Sequence, residues 1–345
     1  MTSDKGTFRE SFYALVERAD SIVITAHISP DDDAIASVLS LKTILNNKYP
    51  EKNIQCIYSG EPINRYANFV GYEAIVFVAD MDRALVGTDL LIVCDVGTYA
   101  RIGIKDTETL SHIKNKVAID HHASPPDAFD LSCIDSTYSS NSELIYDIFS
   151  EDLELTKSLA ELFLLGILGD TGNLVHISAS QSAVFIKMKR LIEVADIRVD
   201  EFLSRFRTIP KKVIPLIQEL VHNTVFVDAT RWPPFQYAYI TRSFFDAHQY
   251  SDEEISAAAH IYLSQYLPRV EGYGWGFVVT PRGDASCRMS SRSIPKSVNV
   301  RVLHEQLAIG GGHNRAAGGF IAEDDPVHWI QQVQTWMETH EPTLD

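Results

Sequence analysis

Apolar residues in the first half of the chain form short runs separated by longer amphipathic stretches. Runs of the strand type fall near 21–26, 53–58, 74–79, 90–95 and 116–120. Stretches with helical spacing fall near 6–19, 34–47, 140–150, 156–168 and 181–195. This alternation predicts an α/β domain: a parallel sheet with helices on both faces. Residues 190–222 keep a helical period, interrupted by Pro210 and Pro215. Beyond them the pattern changes. Strands are expected over Val225–Val227, Phe235–Ile240, Trp275–Thr280 and Asp284–Met289. Helices are expected over Ser251–Tyr266 and Val298–Leu307. The reading is a first domain over 1–195, a helical connector over 196–219, a smaller α/β domain over 220–335 and a tail over 336–345.

Several strand candidates end in groups that turns rarely need. The run Val117-Ala118-Ile119 passes directly into Asp120-His121-His122. Ser21 to Ala26 runs into His27, then Asp31, Asp32 and Asp33, and Leu90 to Cys94 runs into Asp95. In parallel α/β sheets, ligands gather at the carboxyl ends of the strands. Those residues are therefore expected along one edge of the first domain.

Each piece has a plainer explanation. Asp33 could cap the helix that starts at Ala34, and Asp95 could be an ordinary turn former. Gly169-Asp170-Thr171-Gly172 could simply end the apolar helix before it. However, an Asp at that end opposes the helix dipole, and a nearby cation would offset the cost. Taken together, His27, Asp31, Asp33, Asp95, His121 and Asp170 form a nitrogen and hard-oxygen set suited to Mn²⁺ or Mg²⁺. Such a set suits two divalent ions roughly 3.5–4 Å apart, with Asp95 as the natural bridge.

Composition narrows the class. The chain has 345 residues, 45% hydrophobic and 22% charged, enough for two ordinary cores. No apolar run approaches the ~20 residues of a membrane span. The first twenty residues lack a signal-peptide core. The expected location is the cytoplasm, with no membrane partner. Four scattered cysteines, Cys56, Cys94, Cys133 and Cys287, read as reduced core thiols. The net charge of −16 argues against broad binding to long nucleic acid. It leaves room for a small anionic substrate at a metal-filled pocket.

The distal half offers a second chemical signal. Gly310-Gly311-Gly312-His313 lets backbone N–H groups approach an anion closely. Arg288, Ser290 and Arg292 add guanidinium and hydroxyl groups, and Arg binds phosphate bidentately. Either fragment alone is weak. Combined with a metal site elsewhere, they point to phosphate recognition.

The ordered set resembles the DHH (Asp-His-His) phosphoesterase family. The matching residues are His27, Pro30, Asp31 and Asp33, then Asp95, then Asp120-His121-His122, then Asp170-Thr171-Gly172, then Gly310 to His313 with Ala316-Ala317-Gly318. The first half resembles its catalytic domain over roughly 10–195, and the second its DHH-associated C-terminal domain over roughly 220–335. The compact length is similar to the short two-domain members that degrade nano-RNA and dephosphorylate 3′-phosphoadenosine 5′-phosphate. RecJ-type exonucleases share the motifs but usually carry further DNA-binding domains.

The resemblance implies roles. His27, Asp31 and Asp95 would hold one metal, and Asp33, Asp95, His121 and Asp170 the other. His122 would contact the scissile phosphate and help protonate the leaving group, with Asp120 orienting it. Arg288, Ser290, Arg292, Gly311, Gly312 and His313 would bind the substrate, in an active site between the domains. The expected cofactors are two divalent ions, Mn²⁺ first, with Mg²⁺ or Co²⁺ as alternatives. Dimers are common in the family.

Three positions depart from the family pattern. Asp32 stands where Gly is usual, Gly169 where Thr is frequent, and Asn173-Leu174 replaces an aromatic-containing continuation. Asp32 could raise metal affinity or face solvent. The leading reading is a Mn²⁺-dependent phosphodiesterase that cuts short oligoribonucleotides or linear dinucleotides to mononucleotides, with phosphatase activity on the bisphosphorylated nucleotide. Alternatives are a cyclic-dinucleotide phosphodiesterase, a RecJ-like single-strand exonuclease and a pyrophosphatase. A non-catalytic nucleotide-binding regulator is disfavoured because every ligand position is filled.

Overall fold

The computed structural model describes residues 4–122, 126–205, 208–228 and 231–345. The chain divides into two units, Met1–Arg207 and Thr208–Asp345. The expected connector over 196–219 is shared between them. Phe202 joins the core of the first unit, while Val213, Leu216 and Ile217 join a core of the second. Residues 206 and 207 of that connector lie outside the described residues.

The first unit runs α1 (Lys5–Arg18), β1 (Ser21–Thr25), α2 (Asp32–Lys48), β2 (Asn53–Ser59), β3 (Ile75–Val78), α3 (Met81–Ala84) and β4 (Leu90–Cys94). It continues with β5 (Asn115–Asp120), β6 (Leu131–Ile134), α4 (Asn141–Phe149), α5 (Lys157–Asp170), α6 (Val184–Ala195) and α7 (Val199–Ser204). All six strands are parallel, in the order β3-β2-β1-β4-β5-β6. The order reverses between β1 and β4, the kind of switch point where α/β sheets place their ligands.

Alternation along the strands makes two cores. Ile22, Ile24, Leu90, Ile92, Val117 and Ile119 face a large core built with α1, α2, α4 and α5. Val23, Ile57, Leu91 and Val93 face a smaller one, covered by α3 and short turns. The two faces are thus unequally covered. Strand β6 escaped the sequence pattern because it is only four residues long, at the sheet edge.

The second unit runs α8 (Ile214–His222), β7 (Val225–Val227), β8 (Phe235–Tyr239), α9 (Arg242–His248), α10 (Asp252–Gln265), β9 (Trp275–Pro281), β10 (Cys287–Ser293), α11 (Val300–Gln306), β11 (Gly310–His313), β12 (Ala316–Ile321) and α12 (Pro326–Met337). Its sheet order is β11-β12-β10-β9-β8-β7. Only β8 and β9 pair in parallel, so the sheet is mixed.

Three expectations shift here. The strand expected over Asp284–Met289 runs over Cys287–Ser293, because Asp284 to Ser286 form the turn, with Ala285 at φ 58°. The Gly-Gly-Gly-His run, read as a place where backbone N–H groups can approach an anion, is strand β11, paired antiparallel with β12. Its glycines serve close packing: a Cβ on Gly310 would lie 2.2 Å from the Gly318 carbonyl oxygen. Helix α12 was not anticipated, although Asp325 caps it and Pro326 opens it, both ordinary start signals. The end of the expected tail is tied down, since the Asp345 amide donates to the Ser297 carbonyl at 2.8 Å.

Candidate metal centre

Strand register explains why distant residues meet. Thr25 pairs with Val93, and counting on two residues reaches His27 and Asp95. Cys94 pairs with Ile119, and one further residue reaches Asp95 and Asp120. His27, Asp95 and Asp120 therefore stand level on three adjacent strands. Asp95 sits at φ 59°, a left-handed turn that Asp tolerates better than most residues. It is 2% exposed.

Two clusters share Asp95. In one, His27 Nε2 lies 3.8 Å from Asp31 Oδ2 and 3.5 Å from Asp95 Oδ2. In the other, His121 Nε2 lies 3.4 Å from Asp95 Oδ1, 4.0 Å from Asp33 Oδ2 and 3.1 Å from Asp170 Oδ2. His122 Nδ1 hydrogen-bonds Asp120 Oδ1 at 2.7 Å and stands 3.6 Å from Asp95 Oδ1. The structure thus brings together all six expected ligand positions, with Asp120 and His122 beside them.

Local structure aims each carboxylate. Asp31, and not Asp33, is the N-cap of α2: its Oδ1 accepts from the Asp33 and Ala34 amides, both at 3.1 Å. Asp33 lies in the first turn and reaches the start of α4. Its Oδ2 accepts from the Asn141 amide at 2.6 Å and its Oδ1 from the Ser142 amide at 2.9 Å. A carboxylate is favoured at a helix N-terminus. Asp170 is the last residue of α5, so that helix runs on through Gly169 and does not stop there. Gly166 and Gly169 lie one turn apart on α5 and let it approach closely. A Cβ at 166 would meet Asp33 Oδ1 at 2.5 Å, and one at 169 would meet Asp32 Cβ at 2.3 Å.

The electrostatics show a site short of positive charge. Burial, with Asp95 and Asp170 close by, raises the Asp33 carboxyl well above its ordinary range. Burial also works against His27 and His121 as cations, yet their carboxylate neighbours win. His27 is raised to about 10 by Asp31 and Asp95, and His121 is raised well above its ordinary value by Asp170 and Asp95. Burial likewise opposes charge on Asp31, whose bond to His27 holds it at about 2.

These residues fit a divalent cation. Atoms bound to one ion at ~2.1 Å lie about 3–4 Å apart, as the pairs above do. His27 Nδ1 faces the Ile28 carbonyl at 2.9 Å, so that nitrogen carries a proton and Nε2 turns to the carboxylates. Asp95 Oδ1 is buried and makes no hydrogen bond among the described residues.

Residues 21–167 match the DHH family, N-terminal domain. Over that stretch the chain is similar to DHH-family proteins. The match takes in His27, Asp31, Asp33, Asp95 and Asp120 to His122, and Asp170 lies just past its end. DHH phosphoesterases are metal-dependent, and the clusters here are of the kind that holds a metal.

The bifunctional oligoribonuclease and PAP phosphatase NrnA of Bacillus subtilis is 31% identical over 169 residues, 48% of this chain and half the length of that protein. The probable bifunctional oligoribonuclease and PAP phosphatase NrnA of Streptococcus mutans is 26% identical over 323 residues, 92% of this chain and 96% of that one. An exopolyphosphatase-related protein from Bacteroides fragilis has the same fold, with a TM-score of 0.79, 20% identity, and coverage of 96% and 97% of the two chains.

In the second unit, β10 alternates so that Arg288, Ser290 and Arg292 share one face. Across β12, Ser290 is in line with Gly318 and Gly311, and Arg292 with Ala316 and His313. Gly312 pairs with Ala317 and belongs to the opposite face. Burial and the neighbouring Arg288 pull Arg292 down to about 10. Two guanidiniums on one face of a strand suit an anion. The pattern missed one buried partner: His304 Nε2 lies 2.8 Å from Ser291 Oγ, beneath the two arginines. Nothing in its helical spacing marks it as special.

Among the described residues, no helix is long and apolar enough to cross a membrane. All four cysteines are buried thiols that form no disulfide with one another.

Proposed function

We propose that the protein is a two-metal phosphodiesterase that hydrolyses short oligoribonucleotides or linear dinucleotides to mononucleotides and dephosphorylates 3′-phosphoadenosine 5′-phosphate. The observation that carries this reading is the shared carboxylate. Asp95 belongs to both ligand clusters, one with His27 and Asp31, the other with Asp33 and His121. The activities named for the Bacillus and Streptococcus relatives support the substrate class.

His27, Asp31 and Asp95 would hold one ion, and Asp33, Asp95, His121 and Asp170 the second. Hard oxygen ligands with imidazole favour Mn²⁺. Bound there, the ions would supply charge for the phosphate oxygens and an acidified water. The chain's own residues do the rest. Asp120 accepts from His122 Nδ1, so Nε2 is the ring atom able to serve the substrate. His122 can then donate a proton to the leaving oxygen, a role that needs hydrogen-bond reach. In the second unit, Arg288, Ser290 and Arg292 would bind a nucleotide phosphate or base, with Gly311 and His313 in the same rows.

The test is product analysis with Mn²⁺ and a panel of two- to five-residue RNAs, alongside 3′-phosphoadenosine 5′-phosphate. Mononucleotide release that disappears in Asp95→Ala supports the reading. No release, or equal release from that variant, overturns it.

A further inference from the structure

Asp32 takes no part in the ligand clusters, although it stands between two residues that do. It neither faces solvent nor joins the metal set. Its Oδ1 accepts from the Tyr66 hydroxyl at 2.6 Å and lies 2.8 Å from Arg65 Nη2. That same Nη2 also bonds the Tyr66 oxygen, and the guanidinium carbon lies 4.6 Å from the Tyr66 ring centre. Tyr66 is fully buried and forms a fixed floor. The Asp32 side chain is 12% exposed and that of Arg65 40% exposed. One end of the guanidinium is therefore anchored, while the side chain as a whole stays part-exposed.

The room for this arrangement comes from α5. The 2.3 Å approach to Asp32 Cβ means that any side chain at 169 would push Asp32 aside. Asp32 and Gly169 are thus one adjustment made on two helices. Its product is an arginine placed beside Asp31, close enough for their charges to interact. Nε and Nη1 of Arg65 make no hydrogen bond to any described residue. An arginine with a fixed plane and spare N–H groups is well suited to a phosphate.

We infer that Arg65 is a phosphate-binding residue of the metal site, and that Asp32 is the residue that positions it. The inference rests on the phosphoesterase reading for the nature of its ligand, a phosphate monoester or diester. Arg65 contacts a non-bridging oxygen and so acts on binding more than on turnover. Asp32 acts only through Arg65.

The experiment uses the full chain loaded with Mn²⁺. AMP is titrated calorimetrically into wild type, Arg65→Ala, Arg65→Lys and Asp32→Asn, and steady-state kinetics are run on a dinucleotide. Arg65→Ala is expected to weaken AMP binding and raise KM about tenfold each, which is the loss of one charge-assisted contact, with kcat changed less than threefold. Arg65→Lys should recover part of the loss, and Asp32→Asn should fall between wild type and Arg65→Ala. Mn²⁺ content and Tm should match wild type throughout. Unchanged AMP affinity and KM in a folded Arg65→Ala protein would overturn the inference and leave Arg65 a structural partner. If AMP binding depends on Arg65 while no dinucleotide or bisphosphate is hydrolysed, the functional reading fails and this one stands.

Discussion

Asp120 holds His122 by two bonds at once. Its Oδ1 accepts from the His122 amide at 3.1 Å and from the ring Nδ1 at 2.7 Å. The side chain is thereby fixed relative to its own backbone. Asp120→Ala should leave the ligand clusters filled but let the ring rotate. We expect kcat to fall about 10–100-fold, the usual cost of removing such a carboxylate, with metal content by elemental analysis unchanged. Loss of metal from this variant would count against the separation of roles.

Asp95→Asn removes the shared ligand charge with little backbone cost, because Asn also tolerates positive φ. Metal content should drop for both clusters together, and activity should fall at least about 100-fold, since a direct ligand contributes more than the group behind it. Retention of one tightly held ion with most activity would remove Asp95 as the bridge.

Metal uptake should release protons. Without a cation, His27 is raised to about 10 and is protonated at neutral pH. A metal on Nε2 must displace that proton, so apparent Mn²⁺ affinity should rise with pH across the neutral range. Titration of metal into weakly buffered protein, read by a pH indicator, tests this. Affinity that is flat between pH 6 and about 8 would argue against His27 as a ligand.

Gly166→Ala places a methyl 2.1 Å from Ser142 Oγ and 2.5 Å from Asp33 Oδ1. Overpacking of this kind costs typically about 1–3 kcal/mol. The first unit should lose that stability in urea melts, and Mn²⁺ affinity should weaken because Asp33 is displaced. A variant with wild-type Tm and affinity would show that α5 can shift freely.

The second unit should carry an acid sensitivity of its own. Burial, then Arg292 and Arg288, lower the His304 pKa from 6.5 to about 3. Between these values the unfolded chain binds a proton that the folded one refuses, so stability falls as pH drops from 6.5 toward 3. The loss is on the order of a few kcal/mol. His304→Gln should flatten that part of the stability curve, followed by the fluorescence of Trp275 during urea unfolding. An unaltered curve would mean that other groups dominate.

Much of the first unit can be read from the chain alone. Its strands are buried on both faces and appear as unbroken apolar runs, and the ligands follow them directly at His27, Asp95 and His121. Strand order could not be read, because pairing between β1 and β4 depends on contacts far apart in sequence. The two unusual residues Asp32 and Gly169 were visible as oddities, but their mutual contact was not. Helix α5 must dock on α2 before one explains the other. In the second unit the strand over Gly310–His313 was hidden for a related reason. Glycine looks like a loop signal in sequence, whereas here it lets two strands lie close. Helix α12 had legible start signals in Asp325 and Pro326.

Asp33 is held from three sides. Helix α2 carries it, α4 clamps both of its oxygens, and α5 backs it through the bare surface of Gly166. Three helices, α2 from early in the chain and the neighbouring α4 and α5 from much later, converge on a single carboxyl group. A chain still emerging without α5 would own most of the metal-site residues yet lack their alignment. Chemical competence in this unit therefore waits on the docking of α5.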